Sequence, residues 1–144
     1  MENTLYSKIN ILYYLTLVAA IIETIGAIPV LGGLVIIVSA CAPLVALLGI
    51  YVAGLIFTIQ AQATPGADRY NIELASIKTK FITGIICAIV AFIPIIGWIL
   101  HIVMAIIMWL QYTSLMGMKT KVAKDDVIED VKAEDVKTDN DNKE

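Results

Sequence analysis

The chain alternates between long apolar stretches and short breaks. The apolar stretches cover residues 9–28, 34–60, 80–93 and 98–118. An apolar helix of about 20 residues crosses a hydrocarbon core of about 30 Å. The first, second and fourth stretches reach that length, and the third is the shortest. The pattern therefore predicts an all-α integral membrane protein with four transmembrane helices.

Two of the breaks share one short motif. Residues 28–34 read Ile-Pro-Val-Leu-Gly-Gly-Leu, and residues 93–99, 65 positions later, read Ile-Pro-Ile-Ile-Gly-Trp-Ile. Proline ends a helix because it lacks an N–H and clashes with the preceding turn, and glycine permits a reversal of the backbone. Each copy therefore predicts the tip of a helical hairpin, so that the chain forms two helical hairpins in tandem. The predicted turn residues are Pro29, Gly32, Gly33, Pro94 and Gly97.

A hydrophilic connection over residues 60–80 separates the two hairpins. Thr64-Pro65-Gly66 is typical of a turn, and Asp68 suits the N-cap of a following helix. After it, Tyr70, Leu74, Ile77 and Phe81 recur at steps of four, three and four, which gives one apolar stripe on a helix. We expect a short amphipathic helix here, which lies along the membrane surface or runs straight into the third span.

The last 26 residues differ from the rest of the chain. Residues 119–144 hold six Lys and nine Asp or Glu, which is 15 of the 23 charged side chains. High charge with few large apolar side chains favours disorder or a transient helix. We predict a disordered acidic tail, with docking of a cytoplasmic partner as the alternative. The predicted organisation is a first hairpin (1–63), a connection (64–79), a second hairpin (80–118) and the tail (119–144).

Composition supports the membrane class. The chain is 59% hydrophobic and 16% charged, with a mean hydropathy of +0.85, whereas soluble domains have about 25% charged residues. The N-terminus lacks the basic region of a signal peptide, and the apolar run after it is too long for one, so we expect it to remain attached as a span. No basic patch with interleaved aromatic residues indicates nucleic-acid binding.

The placement of lysine and arginine predicts the topology. With four spans, the basic residues outside the distal tail lie on one side of the membrane, and the hairpin tips carry no charge. By the positive-inside rule, both termini and the central connection are cytoplasmic and the protein is a multi-pass protein of the cell membrane. The basic residues are Lys8, Arg69, Lys78, Lys80, Lys119, Lys121 and Lys124.

Small residues predict which helix faces pack against protein. In the first span Thr16, Ala20, Glu23 and Ala27 fall on one face. In the second span a stripe of alanine and glycine suits close helix contact. The predicted packing residues are Ala20, Ala27, Ala46, Gly49, Ala53 and Gly54.

Glu23 and His101 are the only ionisable acid and imidazole within the predicted spans. An ionisable residue in the bilayer is expensive and suggests a function. Glu23 lies six residues before Pro29 and His101 four residues after Gly97, which places them roughly 9 and 6 Å below their tips at 1.5 Å per residue. A Glu23–His101 pair could relay a proton or cation, or it could fix helix packing. Alternatively, the Glu23 carboxylate could reach the outer headgroups.

No other pattern indicates chemistry. Cys41 and Cys87 lie in apolar runs and are interpreted as small hydrophobic residues. With one histidine and no cysteine pair at ligand spacing, neither a metal site nor a cofactor is expected. The spans hold too few polar groups for acid–base chemistry, so we expect no enzymatic activity and no small-molecule substrate.

Residues 92–118, which open with Ile-Pro-Ile-Ile-Gly-Trp-Ile-Leu from Ile93, resemble uncharacterised small multi-pass membrane protein families of bacteria and archaea. The likeness covers about a fifth of the chain. Those families offer no established catalytic residues, so the resemblance implies a hairpin topology and nothing about a reaction.

These observations favour a non-enzymatic accessory or scaffold subunit that packs in the bilayer with other membrane subunits or with itself. Scarce polar residues, small-residue faces and apolar tips motivate that hypothesis. One alternative is a small oligomeric channel or transporter that uses Glu23 and His101. Another is a holin-like or membrane-shaping protein, indicated by a charged tail after short spans.

Overall fold

The structure, a computed structural model, describes residues 4–29 and 42–141. Those residues form four long α-helices and one short 3₁₀ helix, so the all-α class is confirmed. The helices are α1 (Thr4–Gly26), α2 (Ala42–Gln62), α3 (Asn71–Val90) and α4 (Pro94–Asp141), and the 3₁₀ helix is Ala67–Tyr70.

Three of these helices are long and apolar enough to cross a membrane. The qualifying stretches are Leu5–Gly26, Ala42–Gln62 and Ile96–Asp125. The chain is therefore a membrane protein by the length and composition of its helices. The predicted count of four spans is not confirmed, because α3 is not among the three.

α3 is not among the candidate spans because the first half of this helix carries charged residues. Glu73, Lys78 and Lys80 lie in the first ten residues of this helix, and only its second half is continuously apolar. The helix from the connection thus runs straight into the third apolar stretch, as one of our two alternatives expected. Asp68 lies inside the 3₁₀ helix and does not cap α3, whose N-cap is Tyr70. Gly66, with φ of 81°, supplies the left-handed turn before it.

The four helices pack in a closed ring. α1 packs against both α4 and α2, and α3 packs against both α2 and α4. The most extensive contact joins the first helix to the last, and the next joins α2 to α3. Among the described residues, the helices of each predicted hairpin therefore pack more extensively on the other hairpin than on one another.

The buried face of α2 differs from the predicted small-residue stripe. Ala46 and Gly49 are exposed and Ala53 is half-buried, so of the small residues predicted on this helix only Gly54 is buried. In α1, Ala20 is buried and Ala27 half-buried. Residues at steps of three and four define the inner face of α2, large ones in its first half and small ones in its second half, and most of the predicted stripe lies beside this face. The buried residues of α2 are Leu44, Leu47, Tyr51, Gly54, Thr58 and Ala61.

Gly54 is buried because an aromatic ring lies against its backbone. A Cβ built at Gly54 would overlap the ring of Phe81 on α3. Phe81 is itself fully buried. The close approach of α2 and α3 at this level therefore requires glycine.

The second hairpin tip is built differently from the prediction. α3 ends at Val90, residues 91–93 form the turn, and α4 begins at Pro94. Pro94 thus starts the outgoing helix instead of ending the incoming one, a position that suits its fixed φ and missing N–H. Gly97 lies inside α4, where its N–H donates to the Ile93 carbonyl at 2.6 Å. A Cβ at Gly97 would overlap the Ala91 carbonyl, so glycine is needed here for close approach and not for reversal.

At the first tip, α1 ends with backbone hydrogen bonds. The Ala27 N–H donates to the Glu23 carbonyl at 2.9 Å, and the Ile28 N–H donates to the Ile25 carbonyl at 3.2 Å. Pro29 follows directly. The predicted turn residues Gly32 and Gly33, and likewise Cys41, lie outside the described residues.

The predicted disordered tail is not confirmed, because α4 continues to Asp141. The 48 residues of this helix span about 72 Å at 1.5 Å per residue. The start of its extension is part of the fold: Val122 is 1% exposed and belongs to the buried core, and Asp125 accepts a hydrogen bond from the Tyr70 hydroxyl of the connection at 2.5 Å. Arg69 lies 3.8 Å from the same carboxylate. These contacts give the base of the tail a folded partner that its composition does not reveal.

Basic side chains converge at this end of the bundle. The Lys119 ammonium lies 5.1 to 5.8 Å from the ring centres of Tyr6, Tyr13 and Tyr14, within the range of cation–π attraction. The Lys8 ammonium donates to Thr64 Oγ1 at 2.8 Å. The N-terminus of α1, the connection and the base of the tail therefore share one end.

Replacing Gly54 tests the ring contact. We expect Gly54→Ala to destabilise the fold by about 1–3 kcal/mol, because the added methyl group overpacks against the fully buried ring of Phe81. Gly49→Ala is the matched control, since a Cβ at Gly49 meets no atom within 4 Å and alanine favours helix. The measurement is thermal unfolding of both variants in the same detergent, and equal melting temperatures would contradict the packing described.

Candidate functional site

A buried polar cluster lies between three helices of the bundle. Glu23 on α1 is 3% exposed and His101 on α4 is 5% exposed. The Tyr51 hydroxyl on α2 donates a hydrogen bond to Glu23 Oε1, and His101 Nδ1 is bonded to Glu23 Oε2. Both carboxylate oxygens are thus engaged by protein. We refer to Glu23, Tyr51 and His101 as the Glu23 cluster.

The two rings of the cluster, those of His101 and Tyr51, pack against glycines on neighbouring helices. A Cβ at Gly26 on α1 would lie 2.9 Å from His101 Cγ and Nδ1. A Cβ at Gly84 on α3 would lie 2.9 Å from the Tyr51 ring. Real Cβ atoms almost never approach so closely, so the imidazole and the phenol lie where only glycine leaves room. The site is therefore shaped by backbone, which is harder to displace than a side chain.

The two ring nitrogens of His101 differ in their partners. An ionised carboxylate can only accept, so with Glu23 ionised the hydrogen of its bond to His101 belongs to Nδ1. His101 Nε2 is then an acceptor, and it is buried with no hydrogen-bond partner among the residues that the structure describes. The cluster thus takes one polar side chain from each of three helices, α1, α2 and α4.

Further polar contacts continue along the α1–α4 interface. Gln111 Nε2 donates to Thr16 Oγ1 at 3.0 Å, and both residues are fully buried. The hydroxyls of Tyr13 and Tyr112 lie 2.5 Å apart. Towards the tips, Trp109 Nε1 donates to Thr24 Oγ1 at 3.0 Å and Trp98 Nε1 donates to the Ala27 carbonyl at 2.8 Å. The interface thus has polar cross-links from one end to the other.

The structure brings the two predicted site residues, Glu23 and His101, into contact. The Glu23 carboxylate is buried between helices. It therefore does not extend outward, as it would in the alternative in which it reaches the outer headgroups. Sequence reasoning missed Tyr51, which reads as an ordinary aromatic residue in an apolar run, and Gln111. The glutamine is the only amide between residues 61 and 140 that interrupts an apolar span, and it could have been noticed for that reason.

No metal-binding group of three or more His, Cys, Asp or Glu side chains occurs in the part of the chain that the structure describes. The Glu23 cluster supplies one imidazole and one carboxylate, and the two are bonded to each other. Its chemistry is therefore that of proton exchange or of hydrogen bonding.

No protein-family model, curated protein or solved structure matches this chain. The geometry of the helices and of the Glu23 cluster therefore carries the functional argument.

Removing Glu23 should expose the cost of unpaired polar groups. We expect Glu23→Ala to destabilise the fold by at least about 2 kcal/mol, because it leaves the Tyr51 hydroxyl and His101 Nδ1 buried without a partner, at about 1–3 kcal/mol each. Tyr51→Phe in the Glu23→Ala background should recover part of that loss. Unfolding of the two single variants and the double variant in detergent gives the coupling energy. Strict additivity would show that Tyr51 and Glu23 do not interact.

Proposed function

We propose that this chain is a non-enzymatic accessory or scaffold subunit of a larger membrane complex. The observation that carries the proposal is the outward face of α2, where Ala42, Ala46 and Gly49 are exposed at steps of four and three. Space beside Gly49 is open, with no atom within 4 Å of a Cβ built there. In lipid, small residues on an outer face permit another helix to approach closely.

The hairpin tips support the same proposal. Ile28 at the first tip and Phe92 and Ile93 at the second are exposed. Loops bathed in water are normally polar. Apolar tips favour cover by another protein or a position at headgroup depth.

The internal polar groups favour packing over catalysis. Gln111 is bonded to Thr16, and the carboxylate of Glu23 is bonded to two side chains. Polar side chains of this kind hold helices together in the bilayer, at about 0.6–2 kcal/mol per hydrogen bond. Such contacts favour a subunit with a structural role, in which the polar side chains fix the packing of the helices.

Extraction of the full chain from its native membrane in a mild detergent tests the proposal. We expect it to co-migrate in stoichiometric amounts with larger membrane proteins. Gly49→Leu should abolish that co-migration, because the side chain blocks close helix approach, while the variant itself remains helical. Ile59→Leu, on an exposed position of α2 ten residues after Gly49, is the matched control and should co-migrate. Wild-type protein that migrates only with itself would contradict the proposal.

A second candidate is a small oligomeric proton or cation channel or transporter that uses Glu23 and His101. The observation that favours it is an ionisable pair buried inside the predicted spans, in which His101 Nε2 has no hydrogen-bond partner in the described part of the chain. Ionisable residues in such positions commonly mark ion pathways.

Flux through proteoliposomes tests this second candidate. Glu23→Gln should lower proton or cation flux at least about tenfold, because it removes the charge that attracts the ion. Gln111→Met, which breaks the buried contact with Thr16 but leaves the Glu23 cluster intact, should retain flux. Equal flux in wild type and Glu23→Gln would eliminate the candidate.

A further inference from the structure

We propose that the lipid-facing side of the α1–α4 interface binds one anionic phospholipid, with an acyl chain in an apolar groove and the phosphate against Lys119. We call this surface, between residues 6–27 of α1 and 102–119 of α4, the outer seam. It is formed by helices other than α2, whose exposed face carries the proposed function. Lipid binding on the outer seam requires neither a partner subunit nor transport.

The groove lies between two helices that are long and apolar enough to cross a membrane. Its volume is about 420 Å³. Small residues of both helices line it, together with larger side chains that are exposed: Thr24, Ala27 and Ala105, with Ile106 and Leu110 beside them. A methylene group is close in size to a water molecule, whose share of the liquid is about 30 Å³. The groove therefore has room for a hydrocarbon chain of about a dozen carbons.

The polar side chains of the groove are already bonded to protein. The Thr24 hydroxyl donates to the Ala20 carbonyl at 2.7 Å and accepts a hydrogen bond from Trp109 Nε1 at 3.0 Å. The other side chains that line the groove are apolar. The part of a ligand that occupies it is consequently hydrocarbon, and the acyl chain of a membrane lipid supplies this at the required depth.

A row of aromatic rings connects the groove to a cation. The ring centre of Trp109, which lines the groove, lies 5.7 Å from that of Tyr112, and the Tyr112 ring lies 4.7 Å from Tyr13. The Lys119 ammonium lies 5.1 Å from the Tyr13 ring centre. Ala105, Tyr112 and Lys119 are seven residues apart, which places them on nearly the same face of α4. The groove and the ammonium are therefore parts of one seam.

The Lys119 ammonium has aromatic neighbours but no carboxylate or hydrogen-bond acceptor among the described residues. Nearby carboxylates face other cations: Asp125 lies 3.8 Å from Arg69, and Glu73 lies 3.9 Å from Lys121. A lysine ammonium has three N–H donors and accepts nothing. Its free donors suit the oxygens of a phosphate, and basic residues at a membrane surface attract anionic lipids.

The length of the outer seam matches one lipid. A bilayer with its headgroups is about 40–45 Å thick, so one leaflet measures about 20–22 Å. From Ala105 to Lys119, α4 rises about 21 Å at 1.5 Å per residue. A phospholipid whose phosphate lies at Lys119 therefore reaches the groove at Ala105 with the end of its acyl chain.

Quenching of Trp109 by brominated lipid tests the proposal. Trp98→Phe leaves Trp109 as the only tryptophan of the full chain, and bromine quenches an indole that it contacts. The protein is placed singly in nanodiscs of phosphatidylcholine with increasing amounts of phosphatidylglycerol brominated on its acyl chains. Half-maximal quenching should occur at a mole fraction about fivefold lower than with brominated phosphatidylcholine, the selectivity expected of one lysine at the surface. Equal mole fractions for the two lipids would overturn the proposal.

Variants of Lys119 separate a specific site from general attraction by positive charge. Lys119→Gln should remove the fivefold preference for phosphatidylglycerol, and Lys119→Arg should keep it. Lys124→Gln, at an exposed lysine of the same helix, is the matched control and should keep it too. Circular dichroism checks that each variant is helical. An unchanged preference in Lys119→Gln, or an equal loss in Lys124→Gln, would overturn the proposal.

A variant of the groove tests the position of the acyl chain independently. Ala105→Leu places a larger side chain in the groove and should weaken quenching of Trp109 by brominated phosphatidylglycerol. Ile106→Leu, which preserves side-chain volume at the next position, is the matched control and should quench as the parent does. Full quenching in a folded Ala105→Leu protein would overturn this placement of the chain. An absence of quenching by either lipid in the parent would show that protein covers the groove, which would also overturn the proposal.

Discussion

Pairing of polar groups across the α1–α4 interface is the constraint on which the bundle depends. In lipid, burying apolar side chains gives little reason for two helices to associate, because lipid tails are equally apolar. Polar groups are different, because a polar side chain in lipid stays without a hydrogen-bond partner unless another helix supplies one. Two hydrogen-bonded pairs meet this requirement at two levels of the interface, Glu23 with His101 and Thr16 with Gln111. The first and last helices are thereby joined, and the ring of four helices closes.

Glycine complements this pairing by setting where the aromatic rings can lie. At Gly26, Gly54 and Gly84 a ring of the facing helix occupies the space that a Cβ would fill. Each ring then holds its helix at a short distance from the next one. Two of these rings belong to the Glu23 cluster, so the same backbone positions determine both the packing of the bundle and the geometry of its one buried ionisable pair among the described residues.

The sequence predicts the helices and two members of the site, and it does so through interruptions of an apolar pattern. Glu23 and His101 stand out because charge is rare in such runs. Tyr51 does not stand out, because its role depends on which face of α2 turns inward, and periodicity alone placed the small-residue stripe there instead. The tail shows the same limit: its overall charge predicts disorder, while the burial of Val122 and the contact of Asp125 with Tyr70 are tertiary and invisible in composition.

The closed ring also fixes an order of events during synthesis. His101 is made 78 residues after its partner Glu23, whereas Tyr51 follows Glu23 by only 28 residues. At about 5–20 residues per second, the imidazole emerges roughly 4–16 seconds after the carboxylate. Until His101 is made, the carboxylate lacks one of its two partners, and Tyr51 is the earlier of the two to be synthesised. The α1–α4 contact that closes the bundle therefore cannot form before α4 has been made.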